Sequence, residues 1–206
     1  MNNYSTDTDL KARYGGILES PYVSKIHRHC LDGFKVKGLR EILKPFTFKN
    51  ILDVGCGLGE YSWIKKGRYF GLDNSFPRVL FAQRQYRDCH FVCGDAQKLP
   101  FREKSFEAVL LANTAHHLSD RELIQTLNQM KRIAQKYIIL DDCVRFVGQN
   151  GLSRFFYRLD RGTKFRRIDD FISLFKQLND SKLVLKNTHR TFPGLYLHVV
   201  FILELI

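Results

Sequence analysis

The chain has 206 residues, with 33 Lys or Arg against 21 Asp or Glu and a formal net charge of +12, and this length suits one domain without a second catalytic domain. No apolar run approaches the roughly 20 residues of a membrane span, and the polar start lacks the apolar region of a signal peptide, so we expect a cytoplasmic protein. Five scattered cysteines argue against a disulfide framework.

The positive charge favours anionic partners, among them nucleic acid, phosphorylated metabolites or an acidic membrane surface. The positive charge is concentrated between Cys143 and Phe192, where the sequence has eleven Lys or Arg and only four Asp or Glu. A basic surface that is simply solvated explains this segment equally well.

The N-terminal segment contains amphipathic helical pieces, which predict a helical lid over residues 1–48. Strands and helices then alternate, and this alternation predicts parallel strands joined by crossover helices. The predicted strands are Asn50 to Val54, Arg68 to Leu72, His90 to Cys93, Phe106 to Leu111 and Tyr137 to Leu140. The predicted helices are Gly59 to Lys65, Phe76 to Gln85 and Asp120 to Ala134, the last opened by a capping box of Ser119 and Glu122.

The C-terminal part begins with residues 146–167, which are rich in arginine and aromatic residues and are predicted to form a lid inserted over the sheet. A helix from Ile168 to Leu178 follows, and then two strands, Leu183 to Thr188 and Leu195 to Leu205. Pro193-Gly194 between them predicts a hairpin turn. The fold class is therefore α/β, in a single domain of residues 1–206.

The clearest functional signal is the segment ILDVGCGLG at residues 51–59. Its three glycines let the backbone turn tightly and approach a ligand closely. A dinucleotide fingerprint needs G-x-G-x-x-G, whereas here the third glycine comes one position early and Glu60 fills the slot of the fingerprint's last glycine. A pyrophosphate would be repelled by Glu60, while Asp53 suits a ligand that carries an ammonium or sulfonium cation.

From Asn50 to Asp142 the chain resembles the class I S-adenosylmethionine (SAM)-dependent methyltransferases, in particular the type-11 group that includes quinone-biosynthesis and many small-molecule enzymes. Besides the glycine motif, three segments match in order: FGLD at residues 70–73, GDA at residues 94–96 and the segment from Leu111 to Asp120. The resemblance implies a Rossmann-like sheet of seven mostly parallel strands with helices on both faces. It places the last strand antiparallel between the fifth and sixth, and it implies SAM as cofactor.

The resemblance also implies roles at the strand ends. The glycine motif wraps the methionine part of SAM, Asp73 accepts the ribose hydroxyls, Asp95 takes the adenine amino group and the Ala96 N–H binds a ring nitrogen. The expected cofactor-binding residues are Asp53, Gly55, Cys56, Gly57, Gly59, Asp73, Asn74, Asp95, Ala96 and Asn113. A helix cap is the competing role for Asp73, and a plain turn the competing role for Asp95.

His116 and His117 are the catalytic candidates, because an imidazole pKa near 6.5 suits proton removal from a hydroxyl at neutral pH. Adjacent histidines point differently, so we expect one of them to be structural. A base is not obligatory, since alignment of the reactants can supply much of the rate. Asp141 and Asp142 are expected near the pocket mouth, where they either position an acceptor or, as the favoured role, form a salt bridge with Arg145.

The candidates for binding the methyl acceptor are Tyr14, Tyr22, His117, Arg154, Tyr157 and Arg158. Interleaved arginines and aromatics can grip an anionic or aromatic metabolite or stack RNA bases, and they can equally serve only to cover the sheet. No metal site is predicted, because Cys89 and Cys93 lack a second ligand pair at zinc-site spacing.

We therefore predict methyl transfer from SAM to an oxygen, nitrogen or carbon of a small anionic or aromatic metabolite, for example a polyketide, sugar or lipid-linked intermediate. The alternatives are an RNA methyltransferase, which the net charge of +12 favours, and a non-catalytic SAM-binding accessory subunit. A nicotinamide-dependent oxidoreductase is disfavoured by Glu60.

Overall fold

The structure is a computed structural model that describes residues 37–65, 68–160, 162–191 and 195–206. Most of the predicted N-terminal lid, including Tyr14 and Tyr22, lies outside the described residues.

Seven strands form one sheet in the order β3-β2-β1-β4-β5-β7-β6. The strands are β1 Ile51–Val54, β2 Tyr69–Asp73, β3 His90–Cys93, β4 Phe106–Ala112, β5 Ala134–Val144, β6 Ser181–Arg190 and β7 Leu197–Leu205. Strands β1 to β5 pair in parallel, whereas β7 runs antiparallel to both β5 and β6. The predicted α/β fold is confirmed, including the antiparallel last strand between the fifth and sixth. The pairing of β6 with β7 also confirms the hairpin, whose turn lies outside the described residues.

Helices flank the sheet. They are α1 at residues 37–43, α2 Phe76–Gln85, α3 Asp120–Ile133, α4 Gly151–Leu159 and α5 Ile168–Phe175. The capping box at the start of α3 is confirmed, since the Ser119 side chain accepts the Glu122 N–H and the Glu122 side chain accepts the Ser119 N–H. Among the described residues, no helix has the length and apolar character needed to cross a membrane.

The predicted helix from Gly59 to Lys65 is wrong. Turns occupy this stretch and lead into a short 3₁₀ helix, Ser62–Lys65. The backbone at Gly57 and Gly59 has φ of +55° and +80°, and left-handed residues interrupt a right-handed helix. Helix α5 likewise ends at Phe175, before the predicted Leu178, and finishes in a turn.

Two apolar cores lie on opposite faces of the sheet. Successive residues of a strand point to opposite faces, so in β5 Leu140 belongs to one core and Ile139 to the other. The Leu140 side is covered by α3 and α5, and the Ile139 side by α1. The carboxyl ends of the strands are held between these layers, and the candidate site lies there.

Candidate active site

The carboxyl ends of β1, β2, β3 and β4 meet at one edge of the sheet. The chain order of the strands reverses at β1, which lies between β2 and β4. In open α/β sheets, ligands bind in the crevice beside such a reversal. The four segments singled out in the sequence follow these four strands, so the fold brings them together.

The loop after β1 depends on its glycines. Gly55, Gly57 and Gly59 have φ of +75°, +55° and +80°, a region that side chains disfavour. A Cβ atom at Gly55 would lie 2.4 Å from the Thr114 Oγ1. The loop therefore packs directly against the segment after β4. Cys56, within the loop, is buried.

Asp73, the last residue of β2, supports this loop. Its side chain is almost fully buried, its Oδ2 accepts the Gly57 N–H at 2.9 Å and its Oδ1 accepts the Ser75 N–H at 2.9 Å. The N-cap of α2 is Ser75, so Asp73 is not the cap. A carboxylate has about four acceptor positions, and two N–H bonds leave acceptor capacity for ribose hydroxyls.

Asp53 lies inside the sheet. It is fully buried, and the Tyr69 hydroxyl donates a hydrogen bond to its Oδ2. Burial raises the pKa of Asp53 well above its usual range, and the nearby Glu60 and Asp73 charges add to this, although the Tyr69 bond acts in the opposite direction. This environment favours a neutral carboxyl group that supports the loop over a charge that faces a ligand cation.

Asn113, directly after β4, has the features of a ligand contact. Its φ of +51° is unusual for a residue with a side chain. Its Nδ2 donates to the Tyr61 Oη at 2.6 Å, but its Oδ1 is buried without a hydrogen-bond partner among the described residues. Strained backbone and an unsatisfied buried oxygen cluster at functional sites. An ammonium group, such as the one SAM carries, would satisfy this oxygen.

The remaining predicted cofactor residues are less enclosed. Asn74 and Asp95 are exposed, and Ala96 is half-buried. The Asp95 Oδ1 accepts the Gln97 N–H at 2.8 Å, which is the turn role considered for this residue. Its exposed carboxylate nevertheless keeps acceptor capacity for an amino group.

His116 is buried and engaged on both ring nitrogens. Its Nδ1 lies 2.5 Å from the Asp142 Oδ1 and its Nε2 lies 3.5 Å from the Asp160 Oδ1. The ring stacks on Phe165 at 5.3 Å between centroids. Burial by itself lowers the pKa of His116, but Asp142, Cys143 and Asp160 together raise it well above its usual value. These contacts favour a protonated His116 ring that holds the segment after β4 against Asp142 and Asp160.

His117 has the opposite character. It is exposed, and its ring centroid lies 4.2 Å from that of His116. Partial burial and the neighbouring His116 charge lower the pKa of His117 to about 4. The ring is consequently neutral at physiological pH and can accept a proton.

Hydrogen bonds connect the predicted lid, residues 146–167, to residues 115–118, called here the histidine segment. The Arg166 guanidinium donates to the Ala115 and Leu118 carbonyl oxygens at 2.8 and 2.7 Å and to the Asp120 Oδ1 at 2.9 Å. The Lys164 N–H donates to the His116 carbonyl oxygen at 3.0 Å. These bonds hold the end of the lid beside His117.

A basic cavity of about 220 Å³ opens between the lid and the end of β5. It is lined by Arg145, Gln149, Arg154, Tyr157, Arg158 and Phe165. The lid candidates Arg154, Tyr157 and Arg158 thus share one cavity, and Phe165 joins it to His116. The Tyr157 hydroxyl donates to the Val144 carbonyl oxygen at 2.7 Å, so this side chain forms a fixed wall.

The expectation for Asp141 and Asp142 is wrong. Both lie fully buried inside β5, and their side chains pair with histidines instead of Arg145. The cause is the pairing with β7, which continues to Val144 and extends the strand past the predicted end at Leu140.

Sequence reasoning gave no individual role to several residues that build the site, namely Tyr61, Thr114, Asp160 and Arg166. Their partners are distant along the chain, as in the contact of Thr114 with Gly55. No local pattern marks such pairs. The arginine enrichment of residues 146–167 was the one available signal for Arg166.

The similarity to known proteins covers this same region. Residues 51–136 match the family described as a methyltransferase domain. Demethylmenaquinone methyltransferase of Thermotoga maritima is 28% identical over 105 residues, which cover 48% of this chain and 45% of that protein. Probable tRNA methyltransferase 9B of Mus musculus is 32% identical over 127 residues, which cover 56% of this chain and 28% of that protein. The chain thus spans less than half the length of these curated relatives.

A solved structure shares the fold over nearly the whole chain. Magnesium protoporphyrin IX methyltransferase from Synechocystis PCC 6803, with bound SAH, superposes with a TM-score of 0.64 at 18% identity. The superposition covers 98% of this chain and 95% of that one.

Proposed function

We propose that this chain, whose residues 51–136 match a methyltransferase domain, is a class I SAM-dependent methyltransferase that methylates an oxygen, nitrogen or carbon atom of a small anionic or aromatic metabolite. The observation that carries the acceptor class is the basic cavity beside the histidine segment.

The residues at the sheet edge fit SAM. The glycine loop leaves room for backbone to approach a ligand, Asp73 keeps acceptor capacity for the ribose hydroxyls, and the Asn113 Oδ1 suits the ammonium group. When bound, SAM supplies an electrophilic methyl group: the acceptor forms a bond to the methyl carbon while the carbon–sulfur bond breaks, and sulfur keeps the electron pair as S-adenosylhomocysteine (SAH) leaves.

The basic cavity suits the anionic end of the acceptor. Arg145, Arg154 and Arg158 supply guanidinium groups, which bind carboxylate and phosphate in a bidentate manner. Its volume of about 220 Å³ is below the roughly 300–1,000 Å³ of pockets for drug-sized ligands. The cavity therefore holds one charged or aromatic group of the acceptor.

His117 is the residue that receives the proton an oxygen or nitrogen acceptor loses. A neutral imidazole accepts this proton on a ring nitrogen and passes it to solvent, to which the side chain is exposed. General base catalysis contributes about 10²- to 10⁴-fold, and a base with a pKa of about 4 is at the lower end of this range, about 10²-fold. We therefore expect His117→Gln to lower kcat by about that factor. The affinity for SAH, measured by calorimetry, should stay unchanged. An unchanged kcat would remove His117 from the mechanism.

The experiment that tests the function is incubation of the purified protein with methyl-labelled SAM and a deproteinised extract of its source cells. We expect label in water-soluble or lipid material. The double variant Arg154→Ala and Arg158→Ala should then lose most of the incorporation, while Arg121→Ala, an exposed arginine on α3, should retain it. SAH binding that persists unchanged in Asp73→Ala would contradict the assigned cofactor site.

Two other outcomes support other functions. An RNA substrate is favoured by the net charge of +12 and by the similarity to a probable tRNA methyltransferase, and it predicts label in RNA with a steep dependence on salt. SAH binding without label in any fraction, with transfer restored by a partner protein, would identify an accessory subunit.

A further inference from the structure

Asp141, His189 and His198 form a cluster of metal-ligating side chains that the methyltransferase site does not use. They come from β5, β6 and β7, and the strand register places His189 opposite His198. The cluster lies on the α1 face of the sheet, because Asp141 is two residues after Ile139, which packs on that face.

The distances within the cluster suit a bound ion. The His198 Nδ1 lies 3.1 Å and the His189 Nε2 3.4 Å from the same Asp141 Oδ1, and one ligand atom from each residue lies within 4.8 Å of the others. A tetrahedral zinc ion with bonds of about 2.0–2.1 Å places neighbouring ligand atoms roughly 3.3–3.4 Å apart. Small side-chain shifts would therefore accommodate an ion.

Hydrogen bonding alone accounts poorly for this arrangement. The His189 Nε2 lies 3.4 Å from the Asp141 Oδ1 without the alignment of a normal hydrogen bond, and the His189 Nδ1 and the Asp141 Oδ2 have no hydrogen-bond partner among the described residues. Asp141 is fully buried and the His189 side chain is only 11% exposed, where unmet polar atoms are costly. The His116–Asp142 pair, by contrast, is closely bonded at 2.5 Å.

We propose that Asp141, His189 and His198 bind one divalent transition-metal ion, with zinc as the best fit. Two imidazoles and one carboxylate are ligands suited to zinc, iron, cobalt or nickel. Three protein ligands leave at least one coordination position for water or another small ligand. The sequence did not predict this site, because no pair of Cys or His stands at zinc-site spacing with Cys89 and Cys93. The site does not depend on the proposed methyltransferase function.

The surroundings of His189 fix its ring and give the ion a path. Strand β6 is the edge of the sheet, so an ion can reach the cluster along the partly exposed ring. On the other side, a Cβ atom at Gly38 would lie 2.3 Å from the His189 Nδ1. Only a glycine in α1 lets the helix approach this closely, and the approach leaves the Nε2 facing Asp141.

The test uses the full chain after treatment with a chelator, titrated with Zn²⁺ by calorimetry and with Co²⁺ by visible absorption. We expect one equivalent to bind, with only nitrogen and oxygen ligands in the X-ray absorption spectrum of the zinc-loaded protein. His189→Ala should weaken binding by about 100-fold or more, since even outer-shell changes cost 10- to 100-fold. His90→Ala, an exposed histidine on β3, should bind like the wild type.

Three results would overturn the proposal: no stoichiometric binding by the wild-type protein, sulfur among the ligands, or equal affinity in His189→Ala. The X-ray absorption spectrum is measured on the wild-type protein, so the proposal stays testable even where a substitution prevents folding. SAH affinity measured on the same samples separates loss of the metal site from loss of the methyltransferase site.

Discussion

At the β1–β3 end of the sheet edge, the site is shaped mainly by backbone, whereas at the β5–β7 end it is shaped by buried side-chain pairs. The first region depends on three left-handed glycines and on N–H groups bound by Asp73. The second depends on Asp141 and Asp142, which sit side by side in β5 and pair with different histidines.

The difference shows how one strand can serve two sites. Asp142 faces the lid through His116, and Asp141 faces α1 through His198 and His189. Because the side chains of a strand alternate between faces, two adjacent carboxylates need not interact with the same partners. The β5–β7 region should therefore respond to loss of charge, and the glycine loop to added volume.

The largest effect is expected for Asp142→Asn. The change removes the buried charge that lies against the His116 ring and weakens the bond from the Cys143 N–H. Breaking a buried ion pair costs about 3–5 kcal/mol, so the free energy of unfolding in urea should fall by that amount. The exposed Glu103→Gln is the control and should change it by under about 0.5 kcal/mol. A loss below about 1 kcal/mol in Asp142→Asn would mean that the pair is not an ion pair.

The second largest loss in the free energy of unfolding is expected for Gly55→Ala. Gly148→Ala is its matched control, because Gly148 has a φ of +85° but nothing within 4 Å of an added Cβ. Both variants meet the left-handed backbone cost of about 1–2 kcal/mol, and only Gly55→Ala adds overpacking against Thr114, about 1–3 kcal/mol more. SAH affinity should fall in Gly55→Ala alone. Equal destabilisation of the two variants would show that the loop tolerates volume.

A change in pH is expected to have a smaller effect on the free energy of unfolding, through the titration of His116. The folded-state pKa of His116 lies above its usual 6.5, so its ion pair contributes fully below the unfolded pKa and is lost as pH rises through the folded pKa. The groups that face the ring are Asp142, Cys143, Asp160 and His117.

We therefore compare the unfolding free energies of the wild type and His116→Gln between about pH 6 and 9. The difference should shrink as pH rises. A difference that stays constant or grows would assign a neutral ring to His116.

The smallest effect is expected at a feature that is encoded locally. Ser119→Ala removes one half of the capping box of α3 and should cost about 1 kcal/mol in unfolding free energy. It should leave SAH affinity unchanged. An effect as large as that of Asp142→Asn would mean that Ser119 supports the histidine segment as well as the helix.

The sequence by itself determined the features that depend on neighbours along the chain. The alternation of strands and helices, the capping box at Ser119 and the glycines at 55, 57 and 59 are local patterns, and residues close in sequence carry them. The antiparallel place of the last strand between the fifth and sixth followed from the resemblance of residues 50–142 to the class I methyltransferases. The local pattern gave a wrong prediction at Gly59 to Lys65, where glycines next to a helical pattern lead to turns and a short 3₁₀ helix instead of an α-helix.

Only the tertiary structure decided which side chains meet. His116 and His117 are equivalent in the sequence, but their pKa values shift in opposite directions. Burial lowers the pKa of both rings; at His116 it is outweighed by groups that include Asp142 and Asp160, both distant along the chain, whereas at His117 the charge of His116 adds to it. Asp141 joins His189 and His198 only because β7 inserts between β5 and β6. Contacts between residues distant in sequence depend on strand pairing and burial, and no local pattern in this chain specifies them.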